Sequence, residues 1–311
     1  MNPIVRYCGV VLACLACTPW AAAQTEGRHE VLRAADGYPI HVTYYPFKES
    51  KENAGATAQN APVVILLHGA GENRLLWDKS SGPRDQDPFP ILLQKRGYAV
   101  VSVDLRKHGE SVVNNGDDPL HPNDYQAMVG GDLVAVKDFL FVEHQAQRLN
   151  VQKLGIVAVG LSAPIAASFA EYDWSREPYD DAPVAENRTP RGQDVKALIL
   201  ISPDGTAGRI KAATALKQLK AMTPNIALEV IVGAQDSADK RQAETVYQAY
   251  APSARAAKEN TKTEYLTPDL KDRGMALLRQ GTVYAYAFKF LETNLKGLNI
   301  PWQDRRSLLE R

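Results

Sequence analysis

The sequence predicts an α/β fold, a doubly wound and mostly parallel sheet with a leading antiparallel hairpin and no large cap domain. Three observations carry this. Continuous aliphatic runs recur at Val63 to Leu67, Ala99 to Val103 and Leu154 to Val159, as strands buried on both faces require. Helix-like stretches separate them, and alternating strand and helix implies right-handed crossovers. Asp36-Gly37, between two short strand-like runs, is a hairpin turn signal.

Residues 1–23 read as a signal peptide. Arg6 is the only charge before residue 24, Tyr7 to Cys17 is an apolar core, and Ala21-Ala22-Ala23 offers a small-residue cleavage site. The run is too short for a membrane span, so the chain is expected to be exported, periplasmic or extracellular. Cys14, after Val11-Leu12-Ala13, offers a lipid anchor as the alternative. Residues 24–311 are then expected to form one domain. The three cysteines all lie in the leader, so the mature chain has no disulfide, thiol nucleophile or cysteine metal site. No metal and no cofactor are expected. The 36 basic and 36 acidic residues balance without a long basic block, which argues against nucleic acid as a partner.

Glu30 to Ala34 and Ile40 to Tyr45 are the hairpin strands, and Lys48 to Ala61, polar and rich in small residues, is a loop. Pro62 opens the buried strand Val63 to Leu67, which ends in His68-Gly69-Ala70-Gly71. A helix over Phe89 to Arg96 precedes the strand Ala99 to Val103, which ends in Asp104-Leu105-Arg106-Lys107-His108-Gly109-Glu110-Ser111. Asp124 is expected to cap a long helix with Val129, Leu133, Val136 and Leu140 on one face. Further strands follow at Leu154 to Val159, Ala197 to Ile201, Ile226 to Val232 and Thr263 to Leu266.

The stretch after the third of these parallel strands organises the chemistry. Gly160-Leu161-Ser162-Ala163-Pro164 joins a strand to a helix. Such a turn projects a serine hydroxyl above the sheet, with a helix N-terminus behind it that favours developing negative charge. Taken with His68-Gly69 and the Asp104 to Ser111 motif, in that order and spacing, the chain resembles the α/β-hydrolases from about residue 28 to about residue 296.

That resemblance implies a carboxylic ester or amide hydrolase with Ser162 as nucleophile. It places the oxyanion hole at the N–H groups of Ala163 and Ala70, and the acid at Asp236, with Asp204 as the lesser alternative. The family's histidine should follow the last strand, yet Leu270-Lys271-Asp272-Arg273-Gly274 puts Arg273 in its place. All six histidines (His29, His41, His68, His108, His121 and His144) precede Ser162.

Arginine cannot act as the base, because it stays charged to a pH above ~12. Loss of the base histidine removes about 10⁶-fold in rate from a serine hydrolase. The simpler reading of Arg273 near Asp236 is a salt bridge. Pro164 also stands where the family has glycine, and it biases Ala163 away from the helical region.

Other readings of these residues stay open from sequence. Ser162 is a good helix N-cap. His68, His108, Lys240 or Lys271 would be substitute bases, and Asp104 with Arg106 reads as a structural pair bracing its loop. Trp77, Trp174 and Tyr179 fill the core or line a pocket. The segment Asp173 to Asp194, rich in Pro, Asp and Arg, is long for a structureless loop and is read as covering the sheet's edge or contacting a protein partner. Three functions follow: a ligand-binding hydrolase relative with lost or weak catalysis, a serine hydrolase with an unconventional base, or a non-catalytic interaction module.

Overall fold

Asp36 and Gly37 turn the chain between its first two strands, β1 (Arg28–Arg33) and β2 (Pro39–Tyr45). The Asp36 carboxylate accepts the Tyr38 amide at 3.1 Å, and Gly37 takes φ +82°, the left-handed region that glycine enters without steric cost. The computed structural model describes residues 27–80, 82–84, 86–113, 118–223, 225–251 and 262–311. The expected signal peptide and the Cys14 anchor lie outside these residues.

The aliphatic runs form the parallel centre of the sheet, as β3 (Val63–Leu67), β4 (Ala99–Val103), β5 (Leu154–Val159) and β6 (Val195–Ile201). A small hairpin, β7 (Thr206–Ala207) with β8 (Ile210–Lys211), precedes β9 (Ala227–Ile231) and the edge strand β10 (Thr263–Leu266). The eight-stranded order is β1-β2-β4-β3-β5-β6-β9-β10. Within this eight-stranded sheet only the β1–β2 and β2–β4 pairs are antiparallel.

The runs are continuous because each strand feeds two cores. Val63, Ile65 and Leu67 face one apolar cluster, and Val64 and Leu66 face the other, as the two-residue period of a strand dictates. The first cluster is closed by α4 (Leu133–Gln145), α5 (Ser162–Ser175), α6 (Ala212–Met222) and α7 (Gln242–Tyr250). The second is closed by α1 (Leu75–Ser80), α2 (Phe89–Lys95), α8 (Gly274–Leu278) and α9 (Gly281–Leu291). Trp77 is fully buried in the second core and Trp174 packs against the first. No described helix is long and apolar enough to cross a membrane.

Asp124 differs from its expected place. The helix starts three residues earlier, as α3 (Pro122–Ala127) with His121 at the cap position, and Asp124 sits in its first turn, where its carboxylate accepts the His121 amide at 2.7 Å. Pro122 fits that first position because its missing N–H lacks a helical partner anyway. A π-helical turn, Met128–Asp132, then leads into α4.

The Asp104–Arg106 pair does not form. Asp104 binds the side chain of Arg74 and the amides of Arg74 and Glu110. Arg106 instead grips Asp132 through Nε at 2.9 Å and reaches Asp36 at 3.0 Å. Each residue braces a loop, with a different partner.

The segment 173–194 is held by the chain's own carboxyl terminus. Asp173 Oδ2 accepts the amides of Asp194 and Val195 at 2.7 and 3.0 Å. Lys137 bridges Asp173 and Asp194, and Arg305 from the terminal tail binds Asp194 at 2.5 Å. Arg305 also donates to the carbonyls of Pro190 and Gly192. Charges this deeply buried persist only when paired, so the cluster fixes both ends of the segment.

Candidate active site

The carboxyl ends of β5, β6, β9 and β10 meet at one rim of the sheet, where ligands bind in open α/β folds. β5 ends at Val159, and the chain turns sharply at Gly160, which takes φ +54°. Its N–H donates to Ile201 O at 3.0 Å, and its carbonyl accepts the amides of Ala163 and Asp204, both at 3.1 Å. Helix α5 starts two residues later, at Ser162.

Ser162 is therefore not projected above the sheet. It is fully buried as the first helical residue. Its Oγ accepts the Val159 amide at 2.9 Å, and its proton goes to the carbonyl of Val159 (3.0 Å) or of Leu67 (3.3 Å). The N-cap reading fails as well, because Leu161 holds the cap position and the hydroxyl faces back into the strand. Ala163 is helical despite Pro164, fully buried, and its N–H is spent on Gly160 O.

Sequence reasoning missed Gly160 as the apex of the turn. A nucleophile in this fold sits on the strained strand-to-helix turn, with small residues two places to either side. Ala158 and Ser162 occupy those flanking places around Gly160, and that symmetry was the available signal. A Cβ built on Gly160 would meet only Asp204 Oδ2, at 3.9 Å, beyond its own chain neighbours, so the turn has room for a side chain and carries none.

Around this turn the expected partners do converge. Arg273, extended at the N-cap of α8, donates from Nη1 to Asp236 Oδ2 at 2.8 Å and from Nη2 to Asp204 Oδ1 at 2.6 Å. Asp236 Oδ1 accepts the Ala238 amide at 2.9 Å, so the buried carboxylate is satisfied on both oxygens. Burial works against the Arg273 charge, but hydrogen bonds and attraction from Asp236 and Asp204 raise its pKa above the ordinary value. Gly274 N–H donates to Ser202 Oγ at 2.9 Å, pinning this loop to the end of β6.

The opposite wall is the turn after β3, where Ala70 is exposed. The adjacent Gly69 N–H donates to Glu72 Oε2 at 2.8 Å. A carboxylate thus occupies this turn beside Ala70, and Glu72 was not anticipated from sequence. His68 is fully buried behind it. Its Nδ1–H donates to Gly69 O at 2.7 Å, and its Nε2 accepts the Leu105 amide at 3.1 Å.

Burial pushes the His68 pKa down to about 4, against the Gly69 hydrogen bond and with a further contribution from His108 4.9 Å away. Both nitrogens are committed, so His68 is neutral and unavailable as a base. His108 is likewise tied to a backbone carbonyl, Arg106 O at 3.0 Å. Lys240 and Lys271 lie exposed on the surface.

A protein-family model described as the alpha/beta hydrolase family matches residues 64–293. Among solved structures, the chain is similar to the Pyrococcus horikoshii acylaminoacyl peptidase, at 14% identity and a TM-score of 0.53, covering 90% of this chain and 43% of that one. The Pyrococcus furiosus esterase gives 14% identity and a TM-score of 0.53, over 87% of this chain and 93% of that one. The dienelactone hydrolase from Anabaena variabilis gives 15% identity and a TM-score of 0.53, over 87% and 99%. The chain thus spans less than half of the peptidase but nearly all of the esterase and the dienelactone hydrolase, and at these identities the likeness is one of fold. None of the curated proteins compared with the chain matches it.

Proposed function

Because the chain belongs to the alpha/beta hydrolase family, we propose that it is an exported member that has given up serine hydrolysis and holds a small ligand at the old catalytic rim. The observation that carries this reading is Gly160 at the apex of the turn. Serine hydrolysis on this fold needs a hydroxyl there and a base beside it to take the proton and return it to the leaving group. Gly160 supplies no hydroxyl, and Ser162 lies buried beneath it with its oxygen engaged by Val159. Arg273, bound to Asp204 and Asp236, holds the position of the base and cannot accept a proton.

The charge at the rim suggests what the ligand offers. Glu72, Asp204 and Asp236 carry three negative charges against the one positive charge of Arg273. A neutral ester or amide, or a ligand with hydrogen-bond donors, suits this rim better than a carboxylate. Residues 1–23 act as the export signal, and 24–311 are the mature domain. The 173–194 segment serves the domain's own stability, since Lys137 and Arg305 clamp it.

Fluorophosphonate labelling of the purified protein, read by mass spectrometry, tests this reading. The expected result is no adduct on folded protein. A stoichiometric adduct at Ser162 that disappears in Ser162→Ala would overturn it in favour of a working serine hydrolase.

A further inference from the structure

The antiparallel edge of the sheet brings together three side chains that the hydrolase chemistry does not use. His29 lies opposite Thr43, and His41 lies opposite Val31. The two histidines are thus diagonal neighbours on one face of the β1–β2 hairpin, close enough to interact. Their rings stack at 5.0 Å with an interplanar angle of 24°. Glu110 enters from the turn after β4, so the set joins two paired strands and a loop.

We propose that His29 Nε2, His41 Nδ1 and Glu110 Oε2 form a divalent-metal site suited to Zn²⁺. This replaces the sequence-based expectation that no metal is bound. The three atoms lie within 4.8 Å of one another, and their separations are 2.9, 3.5 and 3.7 Å. Tetrahedral Zn²⁺ with bonds of about 2.0–2.1 Å needs ligand atoms about 3.3–3.4 Å apart, which the three values bracket. A hydrogen bond alone explains the 2.9 Å contact between the rings. It does not require a carboxylate oxygen equally near both nitrogens.

The carboxylate is positioned through its ligating oxygen, Oε2, which Arg74 Nη2 also holds. Arg74, almost wholly buried, binds Glu110 and Asp104 together, and the Glu110 amide donates to Asp104 Oδ2 at 2.9 Å. Outer partners of this kind orient a ligating carboxylate. Asp104 offsets the Arg74 charge, so the negative charge of Glu110 is left to attract a cation. His29 and Glu110 are exposed, which leaves the fourth coordination position open to water or a ligand donor.

The test uses untagged full-length protein with its three cysteines alkylated and metal removed by chelation. Titration with Co²⁺ is expected to give the strong visible bands of a tetrahedral site, saturating at one equivalent and displaced by Zn²⁺. His29→Ala, at an exposed position, should abolish the bands while the far-ultraviolet circular dichroism is unchanged. Glu110→Gln should weaken binding at least tenfold, and His121→Ala, away from the site, should change nothing. Absence of tetrahedral bands, or binding that survives His29→Ala, would overturn the proposal. Neither outcome bears on the hydrolytic rim, whose labelling test is separate.

Discussion

Arg273 Nη1 meets Asp236 Oδ2 at 2.8 Å, beyond the carboxyl ends of the neighbouring strands β9 and β10. Because Arg273 also holds Asp204, two carboxylates that would otherwise repel each other across the rim are locked to one guanidinium.

Ser162→Ala should destabilise the fold without altering any reactivity. The substitution leaves the buried Val159 amide without its acceptor, at a cost of about 1–3 kcal/mol. Urea unfolding measures this, and an unchanged midpoint would show that the hydroxyl is not needed where it lies.

Rebuilding the triad requires two changes at other positions. Gly160→Ser with Arg273→His should produce fluorophosphonate labelling at the apex of the turn, whereas Gly160→Ser alone should not. The single change should cost about 1–2 kcal/mol, because a side chain is strained at φ +54°. A folded double variant that takes no label would mean that the turn is not aimed at position 273.

His68 predicts a loss of stability in acid. Its folded pKa of about 4 lies below the ordinary 6.5, so the unfolded chain binds the proton first as pH falls. The contribution is complete above pH 6.5 and is lost as pH falls through about 4, by about 3 kcal/mol in all. His68→Gln should flatten this part of the stability–pH curve measured by urea melts. An unchanged slope would place the titration elsewhere.

Arg305→Ala should loosen the 173–194 segment. Asp194 is buried and would lose one of its two cationic partners, a loss of order 3 kcal/mol. Limited proteolysis should then cut between residues 176 and 192 in the variant and spare the parent chain. Equal cleavage of both would show that the tail does not clamp the segment.

Strand and helix order was legible in the sequence by itself, since a strand buried on both faces is apolar at most positions on either side. Val63 to Leu67, Ala99 to Val103 and Leu154 to Val159 accordingly end where expected. The sequence also shows by itself that all six histidines precede Ser162. The convergence of Arg273 on Asp236 was also readable, because both lie just beyond strands that the parallel order places side by side.

Only the tertiary structure decided which residue stands at the apex of the turn. A Gly-x-Ser spelling fits two registers that differ by two residues, and the choice depends on where β5 stops pairing with β6. That pairing ends at Val159 opposite Ile201, which puts the positive φ on Gly160 and turns Ser162 inward. The meeting of His29, His41 and Glu110 was equally hidden. It depends on strand register and on a loop folded back by Arg74, contacts between residues as many as 81 positions apart whose spacing in sequence carries no periodic signal.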